Sequence, residues 1–107
     1  MNIQIQIRGI GVPTSEALSA HVERRLAFAL SRFSSRVDRV VVRFSDLNGP
    51  KGGLDKVCQV GFTVKGLGPE SVEAQDADLY CAVDLAAAKA GRRVARLLER
   101  NQDWGHP

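Results

Sequence analysis

The chain has 107 residues, of which 44% are hydrophobic and 25% are charged. These fractions are typical of a soluble globular domain, and the length allows one hydrophobic core but not two, which excludes a disordered chain and a two-domain protein. Fifteen Lys and Arg against twelve Asp and Glu give a formal charge of +3, so an anionic partner is indicated only if the positive charges cluster.

The first half of the chain predicts a strand, a helix and a second strand. "NIQIQIR" alternates Ile and polar residues, as a strand with one buried face does. Thr14 or Ser15 can then cap a helix that ends near Ser34. Its apolar positions recur every three or four residues. They are Leu18, Val22, Leu26, Ala29, Leu30 and Phe33. "DRVVVRF" predicts the next strand, with Val40, Val42 and Phe44 facing inward.

The second half predicts two further strands and a long helix. A loop rich in Gly, Asp and Asn follows Phe44, and "KVCQVGFTVK" then reads as a strand with Cys58, Val60, Phe62 and Val64 inward. "ESVEAQ" predicts a short fourth strand with Val72 and Ala74 inward, and Asp76 or Asp78 can cap the last helix. The apolar stripe of that helix is Leu79, Val83, Ala86, Ala87, Ala90, Val94, Leu97 and Leu98.

The order β-α-β-β-β-α predicts a two-layer α+β domain, with a four-stranded sheet and two helices on one of its faces. We expect this domain to span residues 1–100 and a short tail to span residues 101–107. The opposite face of the sheet is polar and has no aromatic residues for base stacking, which disfavours a nucleic-acid site there. Its residues are Gln4, Gln6, Arg43, Gln59, Thr63 and Glu73.

Basic residues are concentrated on the predicted outer faces of both helices. In "KAGRRVARLLER" they recur at helical spacing, opposite the apolar stripe. They are Lys89, Arg92, Arg93, Arg96 and Arg100. In the first helix the same spacing, counted from His21, places Arg24, Arg25, Phe28 and Arg32 on one face. Two such ridges side by side would suit the phosphates of RNA, although exposed helix faces are often charged without binding anything.

The chain resembles the ribosome hibernation-promoting factors, also called ribosome-associated inhibitors or sigma-54 modulation proteins. The resemblance covers residues 1–100 and depends on the element order and three sequence features. These are "SEALSAHVERRLAFALSRF", "SVEAQDADLYCAVDLAAAKAGRRVARLL", and the spacing of Asp78, Leu79, Tyr80, Val83 and Asp84. It implies a fold similar to double-stranded-RNA-binding domains, and the chain looks like a short member without the dimerisation domain of longer ones.

The resemblance also implies a function. Members of the family bind the small ribosomal subunit with basic helices on ribosomal RNA and silence translation by occluding the path of mRNA and tRNA. Arg25, Lys89, Arg92 and Arg96 match basic positions of the family, whereas Arg24, Arg32, Arg93 and Arg100 follow from helical geometry alone. Phe28 stands where typical members have Lys. It can stack on a base or pack at the edge of the core, and we expect the latter.

The sequence gives less support to other functional classes. His21, which we expect to be a solvated residue of the first ridge, and His106 have no evident nucleophile or orienting acid, so the sequence predicts no enzyme and no small-molecule substrate. A protein-interaction module that has lost its RNA surface is the alternative, and it predicts an exposed apolar patch. Sheet edges leave room for a weak homodimer, which the charges of Arg8, Arg39 and Lys65 disfavour.

We expect neither a membrane partner nor a cofactor. No apolar run approaches the ~20 residues of a membrane span, and "MNIQIQIRGI" lacks the regions of a signal peptide, so the protein should be cytoplasmic. Cys58 and Cys81 form no CxxC pair. The sequence therefore predicts no metal site and two buried free thiols.

Overall fold

The computed structural model describes residues 3–10, 14–47 and 56–105, and in them it has four strands and two α-helices in the predicted order. The strands are β1 (Ile5–Ile10), β2 (Val37–Asp46), β3 (Lys56–Val64) and β4 (Gly68–Asp76). The helices are α1 (Glu16–Leu30) and α2 (Leu79–Gly105), and a short 3-10 helix (Ser31–Phe33) extends α1. The predicted α+β class is confirmed. Residues 48–55 of the predicted loop between β2 and β3 lie outside the described residues.

The sheet has the strand order β1-β2-β3-β4. β1 runs parallel to β2, because α1 carries the chain back across the sheet between them, and the other two pairs are antiparallel hairpins. Leu67 N donates to Val64 O in the turn between β3 and β4. Gly66 occupies the third position of this turn with φ +83°, a backbone conformation that residues with a Cβ rarely adopt.

The core lies between one face of the sheet and both helices. Val42, Val60 and Val72 stand in register across the three antiparallel strands and form an apolar row under the helices. The predicted inward faces of β2 and β3 are confirmed, since all seven side chains are buried. On β4, Ala74 is buried and Val72 is half-buried.

An irregularity in β2 adds one core residue that alternation did not predict. Val40 pairs with Phe62 and Val37 with Val64, so three steps along β2 match two along β3. The extra residue is a β-bulge, which turns both Val37 and Val40 toward the core. Val37 is 2% exposed, although strict period-2 alternation places it on the opposite face.

Local caps fix the start of each helix. Ser15 Oγ accepts a hydrogen bond from Leu18 N at 3.1 Å, so Ser15 and not Thr14 caps α1. Asp78 Oδ1 accepts from Tyr80 N at 2.7 Å, and Asp76 Oδ1 accepts from Asp78 N at 3.0 Å. Asp78 is therefore the cap of α2, and Asp76 holds the cap in place.

α2 rests on the sheet through small residues. Ala82, Ala86, Ala87 and Ala90 are buried beside Val83 and Val94, which brings the helix backbone close to β3 and β4. The helix continues past residue 100 to Gly105, and the division of the chain at residue 100 stays a prediction. Neither helix, within the described residues, is long and apolar enough to cross a membrane.

The two thiols differ in exposure. Cys58 is buried in β3, as predicted, but Cys81 is exposed, so the prediction of two buried thiols is wrong for Cys81. Cys81 lies two residues before the buried Val83, about 200° around the helix at 3.6 residues per turn. It therefore points away from the core.

Thiol labelling should distinguish the two cysteines. Burial raises the pKa of Cys58 to about 12, so this thiol stays protonated and unreactive at pH 8. The pKa of Cys81 is also raised. The main cause is desolvation, and the negative charges of Asp76, Asp78 and Asp84 add to it. We expect one thiol per folded chain to react with iodoacetamide, more slowly than a free peptide thiol and faster as pH rises. Mass spectrometry of the labelled protein measures this.

In the same experiment, Cys81→Ser should abolish labelling of the folded protein, whereas Cys58→Ala should leave it unchanged. Denaturant should expose both thiols of the unsubstituted chain. Rapid labelling of two thiols before denaturation would contradict the burial of Cys58.

Candidate nucleic-acid interface

All eight basic residues predicted to contact RNA are exposed, on α1, on the 3-10 helix that extends it, and on α2. On α2 they form the α2 ridge, which consists of Lys89, Arg92, Arg93, Arg96 and Arg100. On α1 and its 3-10 extension they form the α1 ridge, which consists of Arg24, Arg25 and Arg32. The two helices pack side by side, so the ridges belong to one surface of the molecule. Their role as RNA contacts stays a prediction.

One flank of the α2 ridge lies along the edge strand β4. Lys89 Nζ donates to Glu73 O at 2.8 Å, and Arg93 Nε lies 3.3 Å from Glu70 Oε1. These two partners could not be predicted from the sequence of α2. Glu70 and Glu73 belong to β4, and the folding of the sheet places them beside the helix. Contacts of exposed charged side chains contribute roughly 0–1 kcal/mol, so Lys89 and Arg93 can exchange these partners for an anionic ligand at little cost.

The outer positions of both ridges have no polar partner among the described residues. Arg24, Arg92, Arg96 and Arg100 make no hydrogen bond or ion pair with any described residue. Four guanidinium groups therefore remain available to a ligand. Arg32 differs, because its Cζ lies over the ring of Phe33 at 4.6 Å from the centroid.

A polar cluster joins α1 to α2 near the start of both ridges. Asp84 Oδ1 lies 2.7 Å from His21 Nε2 and 3.1 Å from Arg25 Nε. An ionised carboxylate only accepts hydrogen bonds, so His21 Nε2 donates. The rings of His21 and Tyr80 stack with their centroids 5.0 Å apart. His21 is half-buried, so the expectation of a solvated ridge residue is wrong, since α2 packs against that side of α1.

Between the helices lies a groove of about 340 Å³, which we call the interhelical groove. The helices come close at Gly91, where a Cβ would stand 3.1 Å from Ala29 O. Ala87, Ala88 and Ala95 continue this small-residue side of α2. Residues with longer side chains would fill the groove, so its depth depends on these positions. The remaining lining residues are Arg25, Phe28, Arg32 and Arg92.

Phe28 projects from α1 at this groove and is 80% exposed. The expectation that it packs at the edge of the core is therefore wrong. Across the groove, α2 presents the small residues Ala88, Gly91 and Ala95 beside Arg92, and most of the ring stays uncovered. Arg25 Cζ lies 5.9 Å from the ring centroid, which places a positive charge beside the aromatic face.

The opposite face of the sheet has a depression of about 300 Å³. Arg39, Arg43, Gln59 and Thr63 contribute to its lining. Phe62 also borders it but is 3% exposed, so it offers no surface for stacking a base. This observation favours the helical surface over the sheet as a nucleic-acid interface.

The structure gives no catalytic arrangement among the described residues. No three His, Cys, Asp or Glu side chains in residues 3–10, 14–47 and 56–105 are grouped so that they could hold a metal ion. His21 contacts Asp84, but the described residues place no nucleophilic hydroxyl or thiol in hydrogen-bond contact with its ring. His106 lies outside the described residues.

Replacement of Asp84 tests the polar cluster. Asp84→Asn removes the charge that Arg25 and His21 share, and a charged hydrogen bond contributes roughly 1.5–3 kcal/mol when buried and less when half-exposed. We expect the free energy of unfolding to fall by about 1 kcal/mol in urea denaturation. Glu99→Gln is the matched control, because Glu99 lies on the same helix and makes no ion pair with a residue whose side chain the structure describes. Equal stability of the two variants would show that the cluster does not join the helices.

Comparison with known proteins gives a family match over most of the chain. Residues 5–102 match the model of the family described as sigma 54 modulation protein / S30EA ribosomal protein. A curated relative, the chloroplastic ribosome-binding factor PSRP1 of Spinacia oleracea, is 24% identical over 106 residues, which are 97% of this chain and 35% of the relative. The chain thus spans about a third of that relative's length.

Two solved structures have a similar fold. A ribosomal subunit interface protein from Coxiella burnetii superposes with a TM-score of 0.74 at 22% identity, over 89% of this chain and 97% of that one. The N-terminal domain of Protein Y from Thermus thermophilus gives a TM-score of 0.71 at 30% identity, over 91% of this chain and 99% of that one. With the family match over residues 5–102, these findings show that the chain belongs to the sigma 54 modulation protein / S30EA ribosomal protein family.

Proposed function

We propose that this chain binds the small ribosomal subunit through the surface formed by α1 and α2, and that it silences translation by occupying the path of mRNA and tRNA. The observation that carries the proposal is the adjacent placement of two basic helices, which brings Arg25, Arg32 and Arg92 around one groove. The names of the relatives, a ribosome-binding factor and a ribosomal subunit interface protein, support the choice of partner.

Electrostatics favours ribosomal RNA as the ligand of this surface. Arg24, Arg92, Arg96 and Arg100 have no ionic partner among the described residues. A planar guanidinium group can donate two parallel hydrogen bonds to one phosphate, which a lysine cannot do. Each phosphate contact also releases counterions from the RNA, so binding should weaken steeply as salt concentration rises.

Steric occlusion requires no catalysed reaction. The proposed partner is ribosomal RNA, and the proposal involves no small-molecule substrate, cofactor or membrane. We place this activity in the cytoplasm, although the spinach relative is chloroplastic.

The second candidate is a protein-interaction module, and the exposure of Phe28 is the observation that favours it. A ring that is 80% exposed can be a contact for another protein. Such a module would bind its partner with little dependence on salt. The extent of the basic surface favours RNA instead, because exposed basic residues continue along α2 from Lys89 to Arg100 and match the repeated phosphates of a polynucleotide.

Charge removal on the helices should weaken binding to small subunits. In Arg92→Ala/Arg96→Ala, two phosphate contacts of about 1 kcal/mol each are lost, so affinity should fall about 30-fold. The slope of log affinity against log salt should decrease by about two units. Co-sedimentation with purified small subunits across a salt series measures both quantities.

Arg39→Ala/Arg43→Ala is the matched control. It removes the same charge from the opposite face of the sheet, so it should bind almost as the unsubstituted chain does. Equal losses in the two variants would mean that net charge alone drives the association, and salt-independent binding would favour the interaction module.

Occlusion makes a separate prediction. If the chain occupies the path of mRNA and tRNA, small subunits preloaded with both should bind it at least tenfold more weakly, because one site cannot hold two occupants. Filter binding with labelled protein measures this competition. Undiminished binding to preloaded subunits would contradict the occlusion mechanism while leaving ribosome binding intact.

A further inference from the structure

Phe28 is the least expected side chain on the proposed RNA surface. It is 80% exposed on α1, between Arg25 and Arg32 and beside the interhelical groove. Burying a Phe side chain is worth roughly 1.5–3 kcal/mol, which the chain does not gain here. Since packing within the chain does not account for this position, the ring is available to a ligand.

The shape of the groove suits a flat ligand. Gly91 and Ala29 hold the helix backbones close, and Ala88 and Ala95 add only methyl groups, so the ring of Phe28 stands beside a shallow apolar floor. The volume of about 340 Å³ lies within the range of pockets for small molecules, about 300–1,000 Å³. A base and its sugar are of this order of size.

The charges around the groove select an anionic ligand. Arg25, Arg32 and Arg92 line it, and no carboxylate of the described residues does. Asp84 compensates Arg25 from its other side, which leaves Arg32 and Arg92 without an acidic partner among the described residues. The ligand should therefore combine a flat apolar face with negative charge close to it.

An unpaired nucleotide has both properties. Its base can stack on an aromatic ring or a guanidinium plane, and its phosphates can contact the neighbouring arginines. A base within a duplex has no free face, and an acidic peptide carries its charges on aliphatic side chains that have no aromatic face. We propose that the interhelical groove binds one unpaired nucleotide of RNA, with its base stacked on Phe28 and its phosphates at Arg32 and Arg92. This inference rests on the proposed function for its choice of RNA.

Substitutions of Phe28 test the stacking. The probe is a single-stranded RNA of about twelve nucleotides, and the reference is the duplex that it forms with its complement. Stacking accounts for about a 5- to 150-fold change in affinity per base. We expect Phe28→Ala and Phe28→Leu to lose that factor for the single strand and Phe28→Tyr to retain affinity. Binding to the duplex should change less than twofold, and the salt slope should stay constant because Phe28 carries no charge.

Leu85→Ala is the control, since Leu85 is an exposed apolar residue of α2 that does not line the groove. It should bind both RNAs as the unsubstituted chain does. Thermal unfolding should be the same for all these variants, because the Phe28 ring is exposed. Single-strand affinity that is unchanged in Phe28→Ala, or retained in Phe28→Leu, would overturn the proposal, and the second result would indicate a generic apolar contact.

The outcome separates this inference from the proposed function. Salt-dependent binding to small subunits, combined with no effect of Phe28 on single-stranded RNA, would overturn the groove and leave the proposed function standing. Absence of small-subunit binding, combined with loss of single-strand affinity in Phe28→Ala and Phe28→Leu, would support the groove and reject the ribosome as partner.

Discussion

The close approach of α1 and α2 at Ala29 and Gly91 determines where the basic side chains of this domain stand. A Cβ at Gly91 would lie 3.1 Å from Ala29 O, a tight contact that would require the helices to move apart by a few tenths of an ångström. With the helices in contact, arginines from both line one groove. A larger separation would leave two independent charged helices instead of a single surface.

The acidic residues near this surface neutralise some of its basic side chains and not others. Asp84 pairs with Arg25 and His21 at the seam between the helices, and Glu70 pairs with Arg93 at the edge of the sheet. The acids thus neutralise the two flanks of the surface and leave its outer part, with Arg92 and Arg96, positive. A net charge of only +3 is therefore compatible with a strong local potential, because the distribution of charge matters more than its sum.

Much of the fold could be predicted from the sequence because each element has a regular apolar period. The inward residues of β2 and β3 and the stripe of α2 follow directly from alternation and helical spacing. Val37 could not be found in this way, because the bulge in β2 breaks the period. Cys81 was misplaced for another reason. Free cysteine is usually buried, but the position of Cys81 around α2 points it away from the core.

The site was less predictable than the fold because it depends on contacts between distant segments. Helical spacing identified which arginines are exposed, but not that Glu70 and Asp84 partner Arg93 and Arg25. The exposure of Phe28 also depends on its neighbours, because the small residues of α2 beside the groove are too short to cover the ring. Single-sequence reasoning has no access to such packing across elements.

The hydrogen bond from Lys89 to Glu73 O also bears on edge-to-edge pairing between two copies of this protein. β4 is an outer strand of the sheet, and its unpaired backbone groups could template the addition of a strand from another chain. The Lys89 ammonium group contacts one carbonyl oxygen of this strand and adds a positive charge beside it. α2 thus places a positive charge at this edge, and such a charge disfavours the addition of a strand from a second chain.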